Sequence, residues 1–458
     1  MKDITRGLGR ASPAAEPTRI PFSAVDEAVH LLDTEAAPWS IQMEVRVTGR
    51  FDEARLRGAL WEALSAHPMA RARKVASRPG RHQDHWEIPR SPDIDPVRVV
   101  DCPDDGALAA ARADLQSLAV PLAESPPIRV RLGRHPSGDV LMLNANHAAM
   151  DAFGALRLLY SVGRAYTGQR DPTPEVDHLQ AREFLAQLAA VDHRTRARRR
   201  LAVAEKLRDL VVPPARLAPE GGSGEPGYGF HQVSLSRSET RTLMEVEHTG
   251  TVNDVLLGAL HLAIDRWNAE HGEPCRRIGV LVPANLRPER WRQDVVGNFS
   301  LPERVSTSRS NRRSPQAALR ALTAQTRRKK RAGMGTALLE VLDRSHRFPL
   351  WAKQALVTLM TITGNRLVDT AMLSNLGQLM DPPSFGPDAG DTAEVWFSPP
   401  ARMPLGLTIG AVTAAGRLHL AFRYRHRLFG ADAARLFADR YLWELRHLIE
   451  NAGEKLAS

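Results

Sequence analysis

The sequence predicts an α/β protein whose two similar halves, each made of antiparallel hairpins and flanking helices, face each other across a cleft. Alternating apolar runs joined by turn residues occur in both halves, at 127–147 and 405–430. A stretch rich in proline and glycine, 213–229, predicts a linker between them. The chain of 458 residues also exceeds the length at which one hydrophobic core keeps growing, which favours two subdomains.

The first half, residues 1–212, begins with a predicted strand and a predicted helix. Residues 41–49 alternate between apolar and polar side chains, as a half-buried strand does. Residues 52–68 repeat apolar side chains at intervals of three and four, which predicts an amphipathic helix. The apolar stripe of this helix comprises Leu56, Ala59, Leu60, Ala63 and Leu64.

A hairpin and a helix follow in the same half. The two alternating runs of 127–147 are joined by the turn Pro136-Ser137-Gly138, and the second run ends at His147. Residues 152–168 then show helical spacing of apolar side chains, and a glycine closes the segment. His147 therefore stands between a strand and a helix, where a side chain can reach a cleft.

The second half, residues 230–458, repeats this organisation. Before the linker, residues 192–208 are basic and predict a helix. The elements predicted for the second half are a strand near Phe230, a helix at 252–272, a strand at 276–288, the hairpin at 405–430 and a closing helix at about 431–450.

Composition and charge restrict the class of protein. The net charge is +10 and only seven of the 62 basic residues are lysines, a balance that suits an acidic partner such as coenzyme A, an acidic protein or an anionic membrane face. Nucleic acid is not expected as a partner, because aromatic residues make up only 5% of the chain. Cys102 and Cys275 match no metal-ligand or redox spacing, so we expect reduced thiols.

We expect a cytoplasmic protein. The N-terminal residues contain no apolar stretch of the kind found in signal peptides. The sequence also contains no apolar run long enough to span a bilayer, although peripheral contact with a membrane stays open.

His147 and Asp151 are the first candidates for chemistry. A histidine has a pKa near neutrality, so it can take a proton from a hydroxyl or an amine. Asp151 precedes the helix of 152–168, where a carboxylate caps exposed N–H groups. For this spacing alone, a core histidine beside a helix cap is the commoner interpretation.

The order of several motifs resembles the chloramphenicol-acetyltransferase-like superfamily, which includes condensation domains, wax ester synthases and polyketide-associated acyltransferases. Its signature His-His-x-x-x-Asp-Gly is similar to Asn146-His147-Ala148-Ala149-Met150-Asp151-Ala152 here. The opening "PFSAVDEAVHLL", followed later by "TVNDVLLGALHLAIDRW", "VPANLRP", "GNFSLP" and "SNLGQL", also resembles segments of these families, over about 20–445.

The resemblance implies a fold and roles for individual residues. The fold is a V-shaped pseudo-dimer of two mixed, largely antiparallel α/β subdomains around a central cleft. His147 takes the role of the catalytic histidine, and Asp151 pairs with an arginine of the second half, which is Arg287 by its position in "ANLRP". Candidate substrate-channel residues are Asn146, Gly154, Ser374 and Asn375, with a structural turn as the alternative for the last two.

The sequence departs from the signature at two positions. The first histidine is Asn146, and the glycine after the aspartate is Ala152, with Gly154 two residues further on. Neither change removes His147, but both change the surroundings of the expected base.

The resemblance implies an acyltransferase in natural-product or lipid biosynthesis. The acyl donor would be a thioester of coenzyme A or of carrier-protein phosphopantetheine, and the acceptor a hydroxyl or an amine. We expect no bound metal or redox cofactor, and backbone N–H groups at the start of helix 152–168 are candidate oxyanion donors. The alternative, which the two departures favour, is a non-catalytic module that recruits a carrier protein or a partner enzyme.

Overall fold

The structure is a computed structural model that describes residues 17–76, 82–190, 212–245, 250–345, 347–355 and 368–453. Within these residues the strands form a five-stranded sheet, a six-stranded sheet and a small three-stranded sheet. Two large hydrophobic cores accompany the two large sheets, one mainly in each half. The prediction of two mixed α/β layers with flanking helices is therefore confirmed.

The first half supplies seven strands and five helices to the described residues. The strands are β1 (Thr18–Pro21), β2 (Ser40–Val47), β3 (Arg73–Lys74), β4 (His85–Ile88), β5 (Val97–Asp101), β6 (Ile128–Arg134) and β7 (Val140–Asn146). The helices are α1 (Ala24–Leu32), α2 (Glu53–Ala66), α3 (Asp105–Ser117), α4 (Ala152–Tyr166) and α5 (Glu183–Ala189).

The second half supplies the remaining elements of the described residues. The strands are β8 (Tyr228–Ser234), β9 (Arg277–Asn285), β10 (Ser300–Ser308), β11 (Ala371–Gln378), β12 (Thr392–Ser398), β13 (Leu407–Ala414) and β14 (Arg417–Arg425). The helices are α6 (Arg237–Glu245), α7 (Val252–Glu270), α8 (Pro315–Arg331), α9 (Thr336–Ser345) and α10 (Ala431–Gly453).

Local periodicity predicted several of these elements correctly. The five residues of the predicted apolar stripe on α2 are the buried residues of that helix. The two predicted hairpins are the antiparallel pairs β6–β7 and β13–β14. The first strand of the second half begins at Tyr228, two residues before the predicted Phe230, and the predicted basic helix at 192–208 lies outside the described residues.

The six-stranded sheet has the order β10-β9-β11-β13-β14-β8, and the five-stranded sheet has the order β12-β2-β7-β6-β5. Most neighbours are antiparallel, whereas β11 is parallel to both β9 and β13, and β5 is parallel to β6. The five-stranded sheet contains a strand of the second half, because β12 pairs antiparallel with β2. The two halves are thus joined through a sheet as well as through side chains.

The subdomain limits 1–212 and 230–458 stay a prediction.

The predicted linker lacks regular secondary structure over most of its length, but it packs against the second half. The Ala215 N–H donates to the carbonyl of Arg277 at 2.8 Å, and the Glu220 N–H donates to the carbonyl of Leu428 at 3.0 Å.

In the part of the chain that the structure describes, no helix is both long and apolar enough to cross a membrane.

Candidate active site

His147 follows the last residue of β7 and is fixed by its backbone. Its N–H donates to the carbonyl of Trp39 at 3.0 Å, within the first half. Its carbonyl accepts a hydrogen bond of 2.7 Å from the Nδ2 of Asn298, which belongs to the second half. The position of the imidazole is therefore determined by both halves of the molecule.

The side chain of His147 lines a cavity of about 370 Å³ between the halves. The first half contributes α1, Trp39 and the start of α4 to the walls, and the second half contributes parts of β9, β10, α9 and β11. Most of the lining side chains are aliphatic residues, prolines or aromatic residues. A ligand in this cavity would contact mainly apolar groups together with His147.

Burial sets the protonation state of His147. Its pKa is lowered, chiefly because burial disfavours the charged imidazolium, while the Asp151 carboxylate and the backbone groups of His147 and Met150 act in the opposite direction. The imidazole is therefore neutral near pH 7 and able to accept a proton. Nδ1 is enclosed by protein atoms, so we infer that Nε2 is the nitrogen that faces the cavity.

Asp151 caps α4 and turns towards the second half. Its Oδ1 accepts the Gly154 N–H at 2.9 Å, the expected capping bond. Its Oδ2 accepts hydrogen bonds from the Nη1 of Arg287 at 2.6 Å and from the Phe299 N–H at 2.8 Å. The ion pair predicted between Asp151 and Arg287 is present in the structure, and it connects the two halves beside the His147 turn.

Arg287 is held by more than the carboxylate. Its Nη2 donates to the carbonyls of Val295 at 3.2 Å and Gly297 at 2.8 Å, and its guanidinium lies 4.5 Å from the centre of the Phe299 ring. The side chains of Arg287 and Asp151 are 0% and 2% exposed. Both charges are thus desolvated, which makes the loss of either partner expensive in free energy.

Asn146, the residue in place of the first signature histidine, has a structural role. Its Nδ2 donates to Asp33 at 2.8 Å and to the carbonyl of Val120 at 2.9 Å, and its Oδ1 accepts the Ala148 N–H at 3.0 Å. Asn146 is not among the residues that line the cavity. The expectation of a substrate-channel role for Asn146 is therefore not met, because its amide is used to hold the turn.

Gly154 also lies outside the cavity wall, contrary to the expectation of a channel residue. A Cβ atom at this position would lie 2.9 Å from the carbonyl oxygen of Gly297 and 3.1 Å from the Gly297 nitrogen. The start of α4 thus approaches the backbone of the second half so closely that a larger side chain does not fit.

Ser374 and Asn375 both line the cavity, as expected for channel residues. They lie within β11, and the choice between a substrate-channel role and a structural role stays a prediction. The Oδ1 of Asn375 accepts the Gly377 N–H at 2.9 Å, next to a register irregularity of the strand.

Sequence reasoning missed three groups of the site. Asn298 lies in the segment "GNFSLP", and the resemblance of this segment implies no role for its amide. Asn285 lines the cavity, and its Oδ1 accepts hydrogen bonds from Arg287. The buried ion pair of Glu27 and Lys353 also lines the cavity and has no local sequence signal.

Among the residues that the structure describes, no group of three or more histidine, cysteine or acidic side chains is arranged to hold a metal ion.

Solved structures of similar fold cover nearly the whole chain. The first condensation domain of the CDA synthetase has a TM-score of 0.71 at 15% identity, covering 94% of this chain and 96% of that chain. The epimerization domain from the third module of tyrocidine synthetase B has a TM-score of 0.68 at 17% identity, covering 97% and 99%. The chain therefore has the chloramphenicol-acetyltransferase-like fold of condensation and epimerization domains.

Sequence comparison identifies the family. The chain is 34% identical over 431 residues to the uncharacterized protein Rv2305 of Mycobacterium tuberculosis, covering 92% of this chain and 97% of the relative. The chain belongs to the family of this mycobacterial protein. No family model matches the chain.

Proposed function

We propose that this protein is an acyltransferase of the condensation type, which moves an acyl group from a thioester to a hydroxyl or an amine. The observation that carries the proposal is a neutral, buried histidine on the wall of an apolar cavity that both halves form. The fixed turn around His147 further supports it, because a general base must be held within reach of the proton that it accepts.

In the proposed reaction, Nε2 of His147 takes the proton of the acceptor as its oxygen or nitrogen attacks the thioester carbonyl. The attack produces a tetrahedral intermediate with a negatively charged oxygen. The intermediate collapses with cleavage of the C–S bond, and the sulfur leaves as a thiol after it receives the proton from His147. Atoms and charges balance without any further reactant.

The start of α4 is the proposed source of oxyanion donors. The first N–H groups of an α-helix have no acceptor within the helix, and the helix dipole favours negative charge there. The Gly154 N–H already donates to Asp151. Ala152 and Phe153 both line the cavity, so we expect their N–H groups to face the oxyanion.

We propose that the acyl donor is a thioester of coenzyme A or of carrier-protein phosphopantetheine. The thioester binds as a substrate. The net charge of +10 suits either of these acidic carriers. Natural-product or lipid biosynthesis is the proposed setting.

The proposal is tested by a panel of acyl thioesters, on coenzyme A and on carrier protein, each incubated with the purified chain and hydroxyl or amine acceptors. We expect release of free thiol that depends on the acceptor, together with an ester or amide product in the mass spectrum. A chain that binds carrier protein tightly but releases no thiol with any pair would contradict the proposal and favour a non-catalytic module. Exchange of the α-proton of an aminoacyl thioester without transfer would contradict it in favour of epimerization.

A further inference from the structure

The cavity extends away from His147 along α1. Asp33, the residue after α1, accepts the 2.8 Å hydrogen bond from Asn146, so the C-terminal end of α1 lies at the His147 turn. Glu27 lies on the same helix five residues before Leu32, which corresponds to about 7.5 Å along the axis. Glu27 and His147 both line the cavity, which therefore follows α1 over this distance.

The walls along this path are aliphatic. Apart from Glu27, the side chains of α1 that line the cavity are Ala24, Ala28, Val29, Leu31 and Leu32. Helix α9 packs against α1 and contributes Leu338 and Leu342, which are four residues apart and therefore on one helix face. Leu31, Leu32, Leu338 and Leu342 are only half-buried, so apolar surface faces the cavity.

A buried ion pair lies in the cavity wall near the other end of this path, where Ala24 at the start of α1 also lines the cavity. The Nζ of Lys353 donates to the carboxylate of Glu27 at 2.6 Å and to the carbonyl of His82 at 2.8 Å. The side chains of Lys353 and Glu27 are 5% and 3% exposed. An alkyl chain is stabilised by burial of its apolar surface against the aliphatic side chains along α1. It gains no such stabilisation from contact with the charged groups of the Glu27–Lys353 ion pair.

We propose that this cavity binds an aliphatic acyl chain, with the acyl carbonyl at His147 and the methyl end at the Glu27–Lys353 ion pair. The placement of the carbonyl rests on the proposed acyl transfer, whereas the aliphatic channel along α1 does not. Ala28 is the position at which a larger side chain would block the channel, and the ion pair sets the length of chain that fits.

Burial of each methylene group strengthens binding about fourfold, which is the fold-change that corresponds to about 0.8 kcal/mol. We expect the Kd of saturated straight-chain alkanoates to fall by about this factor per carbon and then to level off. The number of carbons at which the Kd stops falling is the length at which the alkyl chain reaches Glu27 and Lys353.

The test is isothermal titration calorimetry of the purified full chain with sodium alkanoates of increasing length, each below its micelle concentration. We expect Ala28→Trp to remove the dependence of Kd on length for the longer alkanoates. The matched control is Ala110→Trp, at an exposed position of α3, which should bind as the parent does. The double variant Glu27→Leu with Lys353→Met removes both charges together. In this variant the Kd should continue to fall up to a longer alkanoate than in the parent.

The inference is overturned if the Kd does not depend on chain length, or if Ala28→Trp and Ala110→Trp bind the long alkanoates equally well. The two proposals fail separately. Length-dependent binding without any acyl transfer would contradict only the proposed function. Acyl transfer whose kcat/KM is equal for acetyl and dodecanoyl donors would contradict only the aliphatic channel.

Discussion

Arg287 and Asp151 are 136 residues apart in sequence, and their side chains meet at 2.6 Å between the two halves of the molecule. The same carboxylate caps α4 through Gly154, and the same guanidinium holds the carbonyl of Gly297. One ion pair thus links the strand end that carries His147, the helix behind it and the loop of the second half that contacts them both.

Loss of either partner should destabilise the fold. Asp151→Ala or Arg287→Ala leaves the other charge buried and unpaired, which typically costs about 3–5 kcal/mol. Urea unfolding of each variant measures this loss. The matched control is Arg435→Ala, which removes the exposed pairs with Asp432 and Asp439 and should change the free energy of unfolding by less than about 1 kcal/mol. Variants of Asp151 and Arg287 as stable as the parent would show that the pair is not needed.

Two glycines on helices should respond to alanine in opposite directions. Gly154→Ala places a methyl group 2.9 Å from the Gly297 carbonyl, so we expect lower stability and slower acyl transfer. Gly58→Ala, at an exposed position of α2 with open space around the new Cβ, should raise stability by up to about 1 kcal/mol because alanine is the better helix former. Thermal unfolding and the rate of thiol release provide both readouts. A stabilising Gly154→Ala would contradict the close approach of α4 to Gly297.

Asn146→Ala should affect stability more than chemistry. The variant loses the hydrogen bonds to Asp33, Val120 and Ala148, and the unsatisfied buried groups should cost about 1–3 kcal/mol. Below its unfolding transition, its kcat should stay within a small factor of the parent value, because Asn146 does not line the cavity. A fall in kcat as large as that of His147→Ala, with stability unchanged, would instead assign Asn146 to the reaction.

The rate should depend on pH through His147. Its pKa lies below the ordinary value of 6.5 because burial disfavours the imidazolium, so the neutral base persists to a lower pH than an exposed histidine would allow. As the pH falls further, His147 takes up a proton and can no longer accept one from the acceptor. We therefore expect kcat/KM to fall on the acid side with a midpoint below pH 6.5, measured with a non-titrating hydroxyl acceptor. A midpoint above 6.5 would contradict a desolvated base.

Elements with a strong local period were predicted well from the sequence. The buried stripe of α2 follows from helical spacing, and the β6–β7 hairpin follows from two alternating runs around a Pro-Ser-Gly turn. The same local signals led to the position of His147 at a strand end. The pairing of Asp151 with Arg287 was reached only through the resemblance, because no local pattern connects them.

Contacts between distant segments could not be predicted in this way. Strand β12 joins β2 across the molecule, and its seven residues contain no signal for that partner. Asn298 is 151 residues from His147, and Lys353 is 326 residues from Glu27. These contacts depend on how the halves pack, as does the use of Asn146 to hold the turn.

The measurement that tests the central claim most directly is the kcat of His147→Ala with a reactive thioester and acceptor. We expect folding and donor binding to be kept while kcat falls by about 10²–10⁴-fold, since general-base catalysis typically contributes this much. The loss should appear mainly in kcat, because the proton moves only in the transition state. A His147→Ala variant that folds, binds the donor and transfers the acyl group at the parental rate would contradict the account.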